Sequence, residues 1–223
     1  CTGNQTVGCD DNCPDIPNPA QFDPDGDGKG DACDPCDPAE CPVLPGYTKA
    51  CNAQNRCEYT NVDPTGWRKW DVWILVPPGT FMMGGPEGEK GALSWERPVH
   101  PVSFEDAYLL GKYELVVESY EACVNASVCS PAVIEDPVDG WDLNTSVNGR
   151  AQHPQNGVSW QQGRDVCRWI NSAARLPTEA EWEFGASGPL HRVYPWGDVP
   201  VPDCDQDLAV LNPGETEPSY ADG

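Results

Sequence analysis

The stretch Arg175-Leu-Pro-Thr-Glu-Ala-Glu-Trp-Glu-Phe184 carries the clearest folding signal in the chain. Thr178 and Glu181 have the spacing of a capping box. In that motif the hydroxyl accepts from an early backbone N–H of a helix, and the carboxylate accepts from the cap residue's own N–H. Pro177 stands just before the cap. The pattern predicts a helix over about residues 179–186.

A second capping box, Ser159-Trp-Gln-Gln162, lies upstream. It predicts a helix over about residues 160–171, with one face buried. The expected buried face holds Trp160, Val166, Cys167 and Ile170. A third helix is expected near residues 118–125.

Extended structure is expected earlier in the chain. Bulky apolar residues, among them Trp67, Trp70 and Trp73, crowd positions 67–76, which indicates that a packed domain begins there. Residues 73–76 and 80–83 are predicted to be two short strands on either side of Pro77-Pro78-Gly79. Residues 101–110 alternate weakly and are predicted to form another strand. Tyr194-Pro-Trp-Gly197 is expected to make a rigid aromatic turn.

Several short motifs occur in order between residues 73 and 197. They are Pro78-Gly-Thr-Phe-Met-Met-Gly84, Glu96-Arg-Pro-Val-His100, Leu110-Gly-Lys-Tyr-Glu114, Gly157-Val-Ser-Trp160, Arg175 to Phe184 as quoted above, and Tyr194-Pro-Trp-Gly197. Together they closely resemble the formylglycine-generating enzyme or sulfatase-modifying factor family. The resemblance implies an α+β domain over residues 67–223, related to the C-type lectin fold, irregular and with little regular secondary structure.

The same resemblance leaves the activity open, because a fold does not fix a function. The family includes copper-dependent oxidases that convert a sulfatase cysteine to formylglycine, iron-dependent sulfoxide synthases and non-catalytic binding domains. The paired cysteines of the oxidases follow two later stretches, Gly-Asn-Val-x-Glu-Trp and Arg-Gly-Gly-Ser-x-Trp, and this sequence stops at Gly223 before either of them. No catalytic residue is therefore carried over, and the expectation leans towards a chain without turnover.

The remaining cysteines and the histidines are expected to be structural. Cys123 and Cys129 suit a local disulfide. Cys167 is expected to be a buried thiol, or to bridge Cys204 or a partner beyond the sequence. The three histidines, at positions 100, 153 and 191, show no helical pair spacing of the kind that a metal or nucleophile site favours.

An acidic loop near the start, Asp23-Pro-Asp-Gly-Asp-Gly-Lys-Gly-Asp-Ala-Cys-Asp34, predicts a calcium site. Ca²⁺ takes six to eight oxygen ligands, and its loop template draws them from positions 1, 3, 5, 7, 9 and 12 with glycine at 6. Gly28 stands at the turn. The expected ligands are Asp23, Asp25, Asp27, the Lys29 carbonyl, Asp31 and Asp34.

Prolines on both sides exclude the helix-loop-helix form of a calcium site. The stretch Cys9-Asp-Asp-Asn-Cys-Pro-Asp-Ile-Pro-Asn-Pro-Ala-Gln-Phe-Asp23 with its continuation to Asp34 instead resembles a thrombospondin type 3 repeat. That resemblance implies an irregular segment over residues 1–37, bound to Ca²⁺, stapled by a disulfide and usually holding two ions. Four further candidate ligands follow from it: Asp10, Asn12, Asp15 and Asn18. An acidic disordered linker is the alternative.

Residues 38–66 form a polar, cysteine-spaced stretch, expected to be a coil that connects the two regions. Its disulfides remain open, with Cys51 to Cys57 and Cys41 to either as choices. Zinc is a rival use of Cys33-x-x-Cys36, but a second matched pair is missing.

Charge and cysteine content set the class of partner and the compartment. The 223 residues carry a net charge of −23, which argues against nucleic acid and anionic lipid as partners. Twelve cysteines, in a chain with a predicted calcium site, indicate an oxidising compartment, so an extracellular or cell-surface location is expected. Cys1 is either a lipid-anchored residue or the start of a fragment.

Three functions follow as hypotheses. The leading one is a calcium-binding surface protein whose family-like domain binds an unknown protein or glycan, or serves a structural role. The second is the N-terminal part of a longer formylglycine-generating oxidase or other surface enzyme. The third is a homo-oligomer or a subunit of an extracellular fibre or assembly, since an incomplete domain exposes apolar surface.

Overall fold

The computed structural model describes residues 36–87, 94–133, 143–144, 149–189 and 192. Its main sheet has four antiparallel strands in the order β1 (Tyr47–Cys51), β2 (Cys57–Asn61), β3 (Val72–Val76) and β6 (Tyr108–Gly111). The first two strands form a hairpin, and a 3₁₀ helix, Gly66–Trp70, leads from the hairpin into β3. This sheet therefore continues without a break from the hairpin into the later part of the chain.

The prediction of a coil over residues 38–66 is wrong for its central part, which forms the hairpin of β1 and β2. Two disulfides, Cys36–Cys51 and Cys41–Cys57, bind the preceding segment to both strands of the hairpin. Lys49 Nζ donates to the carbonyls of Ala39 and Cys41, at 3.2 and 2.6 Å. Cross-links and side-chain hydrogen bonds thus replace the apolar core that this polar sequence lacks, and the hairpin is part of the sheet rather than a connector.

A second sheet holds β4 (Gly79–Met83) and β5 (His100–Phe104), paired antiparallel. The strands predicted at residues 73–76 and 80–83 are confirmed, although they belong to different sheets. The single strand expected over residues 101–110 is instead β5 and β6, which also belong to different sheets. The exposed Glu105-Asp-Ala107 segment separates them, because the chain must cross from one sheet to the other.

A short 3₁₀ helix, Ser94–Glu96, and three α-helices complete the described structure: α1 (Val117–Asn125), α2 (Trp160–Ile170) and α3 (Glu179–Ser187). Both capping boxes form, with Ser159 and Gln162 at α2 and Thr178 and Glu181 at α3. The helix bounds agree with the predicted ones to within one residue. The observed elements are those of an α+β fold, as expected, and all are short.

The buried side of α2 differs from the expected one. Val166 is buried, and Ile170 packs against the cluster formed by Tyr120, Cys123, Cys129 and Val166. Trp160 is 64% exposed, so its expected burial is wrong. It is the first residue of the helix, and its ring lies 5.7 Å from the Arg164 guanidinium rather than in the core.

A second core lies between the small sheet and α3. Phe81 and Phe184 are buried, with their rings 5.1 Å apart, and Phe104 stacks on Phe184 at 5.4 Å. Burial of such rings stabilises the domain by a few kcal/mol each, as an order of magnitude. Among the described helices, none has the length and apolar character needed to cross a bilayer.

Candidate functional site

All of the expected calcium ligands lie outside the residues that the structure describes. This holds for the ligands from the loop template and for those implied by the thrombospondin repeat. They are Asp10, Asn12, Asp15, Asn18, Asp23, Asp25, Asp27, Lys29, Asp31 and Asp34. The calcium site therefore stays a prediction, as does the aromatic turn at residues 194–197.

The described cysteines do not offer a zinc site. The sulfur atoms of Cys36, Cys41 and Cys57 lie within 4.8 Å of one another, a separation that could suit metal ligands. Each of these sulfurs already belongs to a disulfide. Zinc binds thiolates, so the oxidised sulfurs are not available to it.

The third disulfide joins Cys123 to Cys129 and confirms the expected local bridge. Cys167 is the one free thiol among the described cysteines, and it is half-buried. Burial raises the pKa of this thiol, which keeps it protonated and a weak nucleophile. Cys167 forms no disulfide with a described residue, and Cys204 lies outside the described ranges, so the bridge between these two cysteines stays a prediction.

His100 and His153 are exposed and build no catalytic arrangement in the described part of the chain. His100 Nδ1 lies 2.9 Å from the Pro98 carbonyl, a local contact between neighbours. No hydrogen bond joins either histidine to Cys167 within the described ranges. His191 lies outside them.

Glu181 anchors the start of α3. Its carboxylate accepts from Arg175 Nη1 and Nη2, at 2.7 and 2.5 Å, and from the Thr178 backbone N–H at 2.7 Å. Arg175 lowers the pKa of Glu181 to about 2, and the Thr178 contacts act in the same direction while burial opposes them. Tyr108 also donates to the Glu181 carbonyl, which ties α3 to β6. These contacts fix the family-motif segment in place.

This ion pair predicts a loss of stability in acid. Because the pKa of Glu181 is depressed in the folded state, its contribution is present above pH 4.5 and is lost as pH falls towards 2. Full conversion of the shift would give about 3 kcal/mol. Arg175 is 59% exposed, so we expect about 1–2 kcal/mol after solvent screening.

Urea unfolding of wild type and Arg175→Gln at several pH values would measure this loss of stability in acid. The variant should lose about 1–2 kcal/mol near pH 7 and show a shallower decline between pH 4.5 and 2. Arg97→Gln, at an exposed position outside this network, is the control. Parallel pH curves for wild type and Arg175→Gln would contradict the assignment.

A buried carboxylate at the junction of the hairpin and β3 was not expected from the sequence. Asp71 is 6% exposed and accepts from Tyr47 Oη at 3.0 and 2.9 Å, Asn61 Nδ2 at 2.8 Å and Trp73 Nε1 at 2.6 Å. Burial, with Asp71 adding to it, raises the pKa of Tyr47 to about 12, so the phenol stays a donor. Asp71 thereby fastens the disulfide-bonded hairpin to the rest of the domain.

An open depression of about 540 Å³ lies beside the C-terminal half of α2. It is lined by Val128, Asp165, Arg168 and Trp169. Trp67, from the 3₁₀ helix, packs against Trp169 with the ring centroids 4.6 Å apart. The depression thus combines an indole surface with one carboxylate and one guanidinium, which are groups suited to holding a polar ligand with an apolar face.

Comparison with known families agrees with the motifs. Residues 59–216 match the model of the sulfatase-modifying factor enzyme 1-like domain, which is more than half of the chain. The chain therefore belongs to the sulfatase-modifying factor family. The match begins within β2, in agreement with the hairpin being part of the sheet.

Relatives named as active enzymes and relatives named as inactive ones both align to this chain. A formylglycine-generating enzyme of Mycobacterium tuberculosis is 39% identical over 168 residues, covering 58% of this chain and 56% of the relative. One of Streptomyces coelicolor is 31% identical over 163 residues, covering 58% and 51%. An inactive Cα-formylglycine-generating enzyme 2 of Mus musculus is 42% identical over 157 residues, covering 56% and 50%. The chain thus spans about half the length of these relatives.

Among solved structures, PvdO from Pseudomonas aeruginosa is similar at 21% identity, with 66% of this chain and 54% of that one covered and a TM-score of 0.45. This likeness is too distant to support an argument about function. Active and inactive relatives both align, so family membership alone does not decide between turnover and binding.

Proposed function

We propose that this chain is a calcium-binding protein of the cell surface or extracellular space, whose sulfatase-modifying-factor domain binds a partner or serves a structural role. The observation that carries the proposal is the state of the cysteines. Six of the seven described cysteines are paired in three disulfides, and the seventh is a half-buried thiol with a raised pKa. Such pairing is typical of oxidising compartments.

The position of the first disulfide supports a link between the calcium segment and the domain. Only Pro35 separates Asp34, the last expected ligand of the loop, from Cys36, which is bonded to Cys51 in β1. A bound ion would order the acidic loop by neutralising its carboxylates. The loop would then be held directly against the sheet, which suits a structural role for calcium.

Calcium removal tests this part of the proposal. With EDTA, we expect residues 1–35 to become sensitive to protease while the described ranges 36–87, 94–133 and 149–189 stay resistant, because disulfides and packing hold these ranges. Asp25→Ala with Asp27→Ala should weaken calcium binding at least about tenfold in calorimetry, since two carboxylate ligands are removed. Asp106→Ala, an exposed aspartate between β5 and β6, is the matched control. Unchanged proteolysis in EDTA would contradict the proposal.

The second candidate is an oxidase that generates formylglycine, and the named relatives favour it. The full chain would be incubated with copper, oxygen and a sulfatase-type peptide that contains cysteine. Mass spectrometry would follow the conversion of that cysteine. We expect no conversion, because the described residues provide no reactive cysteine pair. Conversion above a protein-free control would replace the binding role with an enzymatic one.

A further inference from the structure

We infer that the depression beside α2 binds a neutral pyranose unit of a glycan. The inference deepens the proposed binding role of the domain and rests on it. It names the class of ligand and the residues that take it: Trp169 for the face of the sugar ring, and Asp165 and Arg168 for its hydroxyls. The depression, lined by Val128 and these three residues, is called the α2 depression below.

The aromatic surface is fixed by packing. Trp169 packs against the buried cluster of Tyr120, Cys123, Cys129 and Val166, and it also contacts Trp67 with the two rings tilted by 33°. Trp169 is partly exposed and lines the α2 depression, so the exposed part of its indole, which this packing holds in place, can contact the C–H groups of a sugar ring at little cost in side-chain entropy. Trp169 thus provides a rigid platform.

Two side chains of opposite charge stand next to the platform. Asp165 and Arg168 are three residues apart on α2, so they lie on the same face of the helix. Both hydrogen bonds that Asp165 receives from Arg164, at 3.0 and 2.7 Å, go to Oδ1. Its Oδ2 has no hydrogen bond to a described residue, and neither has the Arg168 guanidinium. One group can accept from a sugar hydroxyl and the other can donate to one.

Val128, which also lines the α2 depression, is held in place as well. Val128 is 53% exposed, and its backbone N–H donates to the Cys123 carbonyl at 3.2 Å, next to the Cys123–Cys129 disulfide. The 3₁₀ helix that carries Trp67 is tied to α1, because Lys69 and Trp70 both contact the Glu118 carboxylate. Little ordering would be needed on binding, which favours affinity.

Charge selects a neutral sugar over an acidic one. The lining holds one carboxylate and one guanidinium, and the whole chain carries −23. An acidic glycan would be repelled at long range and would also face Asp165. The volume of about 540 Å³ is within the range of small-ligand pockets, and it suits one or two sugar units.

The test is calorimetry of the full chain, with calcium present, against a panel of neutral hexasaccharides: laminarihexaose, cellohexaose, mannohexaose, xylohexaose and chitohexaose. We expect at least one to bind with a Kd below about 1 mM. Arg168→Gln and Asp165→Asn should each weaken that sugar about tenfold, because each removes a charge-assisted hydrogen bond. A hyaluronan hexasaccharide, which carries uronates, should bind more weakly than the best neutral sugar.

Trp182→Ala is the matched control, because this tryptophan is 62% exposed on α3 and does not line the α2 depression. The sugar affinity of the Trp182→Ala variant should equal that of wild type. Absence of binding across the panel, or binding that Arg168→Gln and Asp165→Asn leave unchanged, would overturn the inference. The proposed function fails separately, through the EDTA or peptide-oxidation results, which do not involve the α2 depression.

Discussion

Replacing Asp71 with alanine is expected to destabilise the domain by about 3–5 kcal/mol, one of the two largest effects that we predict. The substitution removes the common acceptor of Tyr47, Asn61 and Trp73 in a site where Asp71 is 6% exposed. Each donor left without an acceptor in a buried site costs about 1–3 kcal/mol, and the costs are not fully additive. Water entering the site would recover part of the loss.

The measurement is urea unfolding under non-reducing conditions, so that the disulfides stay intact in every variant. Tyr47→Phe removes a single donor and keeps the carboxylate and its other two partners. It should cost about 1 kcal/mol. A loss for Asp71→Ala no larger than that for Tyr47→Phe would show that Asp71 does not hold the hairpin to the domain.

The elements that the sequence predicted well are those specified locally. A capping box needs residues only three positions apart, and both boxes form as expected, at Ser159 and at Thr178. The Cys123–Cys129 bridge spans six positions and closes a turn that follows α1. In these cases the sequence places the interacting groups together without help from the rest of the fold.

The hairpin of β1 and β2 shows why other elements were missed. Its sequence, Tyr-Thr-Lys-Ala-Cys followed by Cys-Glu-Tyr-Thr-Asn, has few apolar residues, so no strand period stands out. Tyr59 is its one fully buried large side chain, and disulfides to Cys36 and Cys41 supply much of the remaining restraint. Pairing of cysteines 15 and 16 positions apart depends on the folded register, which the spacing does not encode.

The α2 depression was not predicted from the sequence, for a similar reason. The spacing of Asp165, Arg168 and Trp169 on one helix is visible in the sequence, and so is the excess of tryptophan. The contact between Trp169 and Trp67 joins residues 102 positions apart and exists only in the fold. Burial also divides the tryptophans in a way that the sequence does not show. Trp67 and Trp169 are partly buried, while Trp160 and Trp182 are exposed.

The substitution Gly84→Ala is expected to have the other large effect on stability. It tests the contact between two family motifs. Gly84 ends the Pro78-Gly-Thr-Phe-Met-Met-Gly84 motif with φ of +100°, and its N–H donates to Glu183 Oε1 at 2.8 Å, in the motif that forms α3. A Cβ at this position would lie 2.2 Å from the backbone carbonyl oxygen of Glu96. Backbone must therefore move, and the hydrogen bond from the Gly84 N–H to Glu183 in α3 would be lost. We expect a loss of at least about 3 kcal/mol.

Gly46→Ala separates the clash from the backbone strain. Gly46 has a similar φ of +86°, but a Cβ there would meet no atom within 4 Å. It should cost only the conformational penalty, about 1–2 kcal/mol. Glu183→Gln keeps an acceptor for the Gly84 N–H and should stay within about 1 kcal/mol of wild type. Thermal unfolding of the three variants measures these differences. Equal losses for the two glycine variants would mean that the chain around Glu96 yields easily, and that contact between the motifs depends on the aromatic core of Phe81 and Phe184 instead.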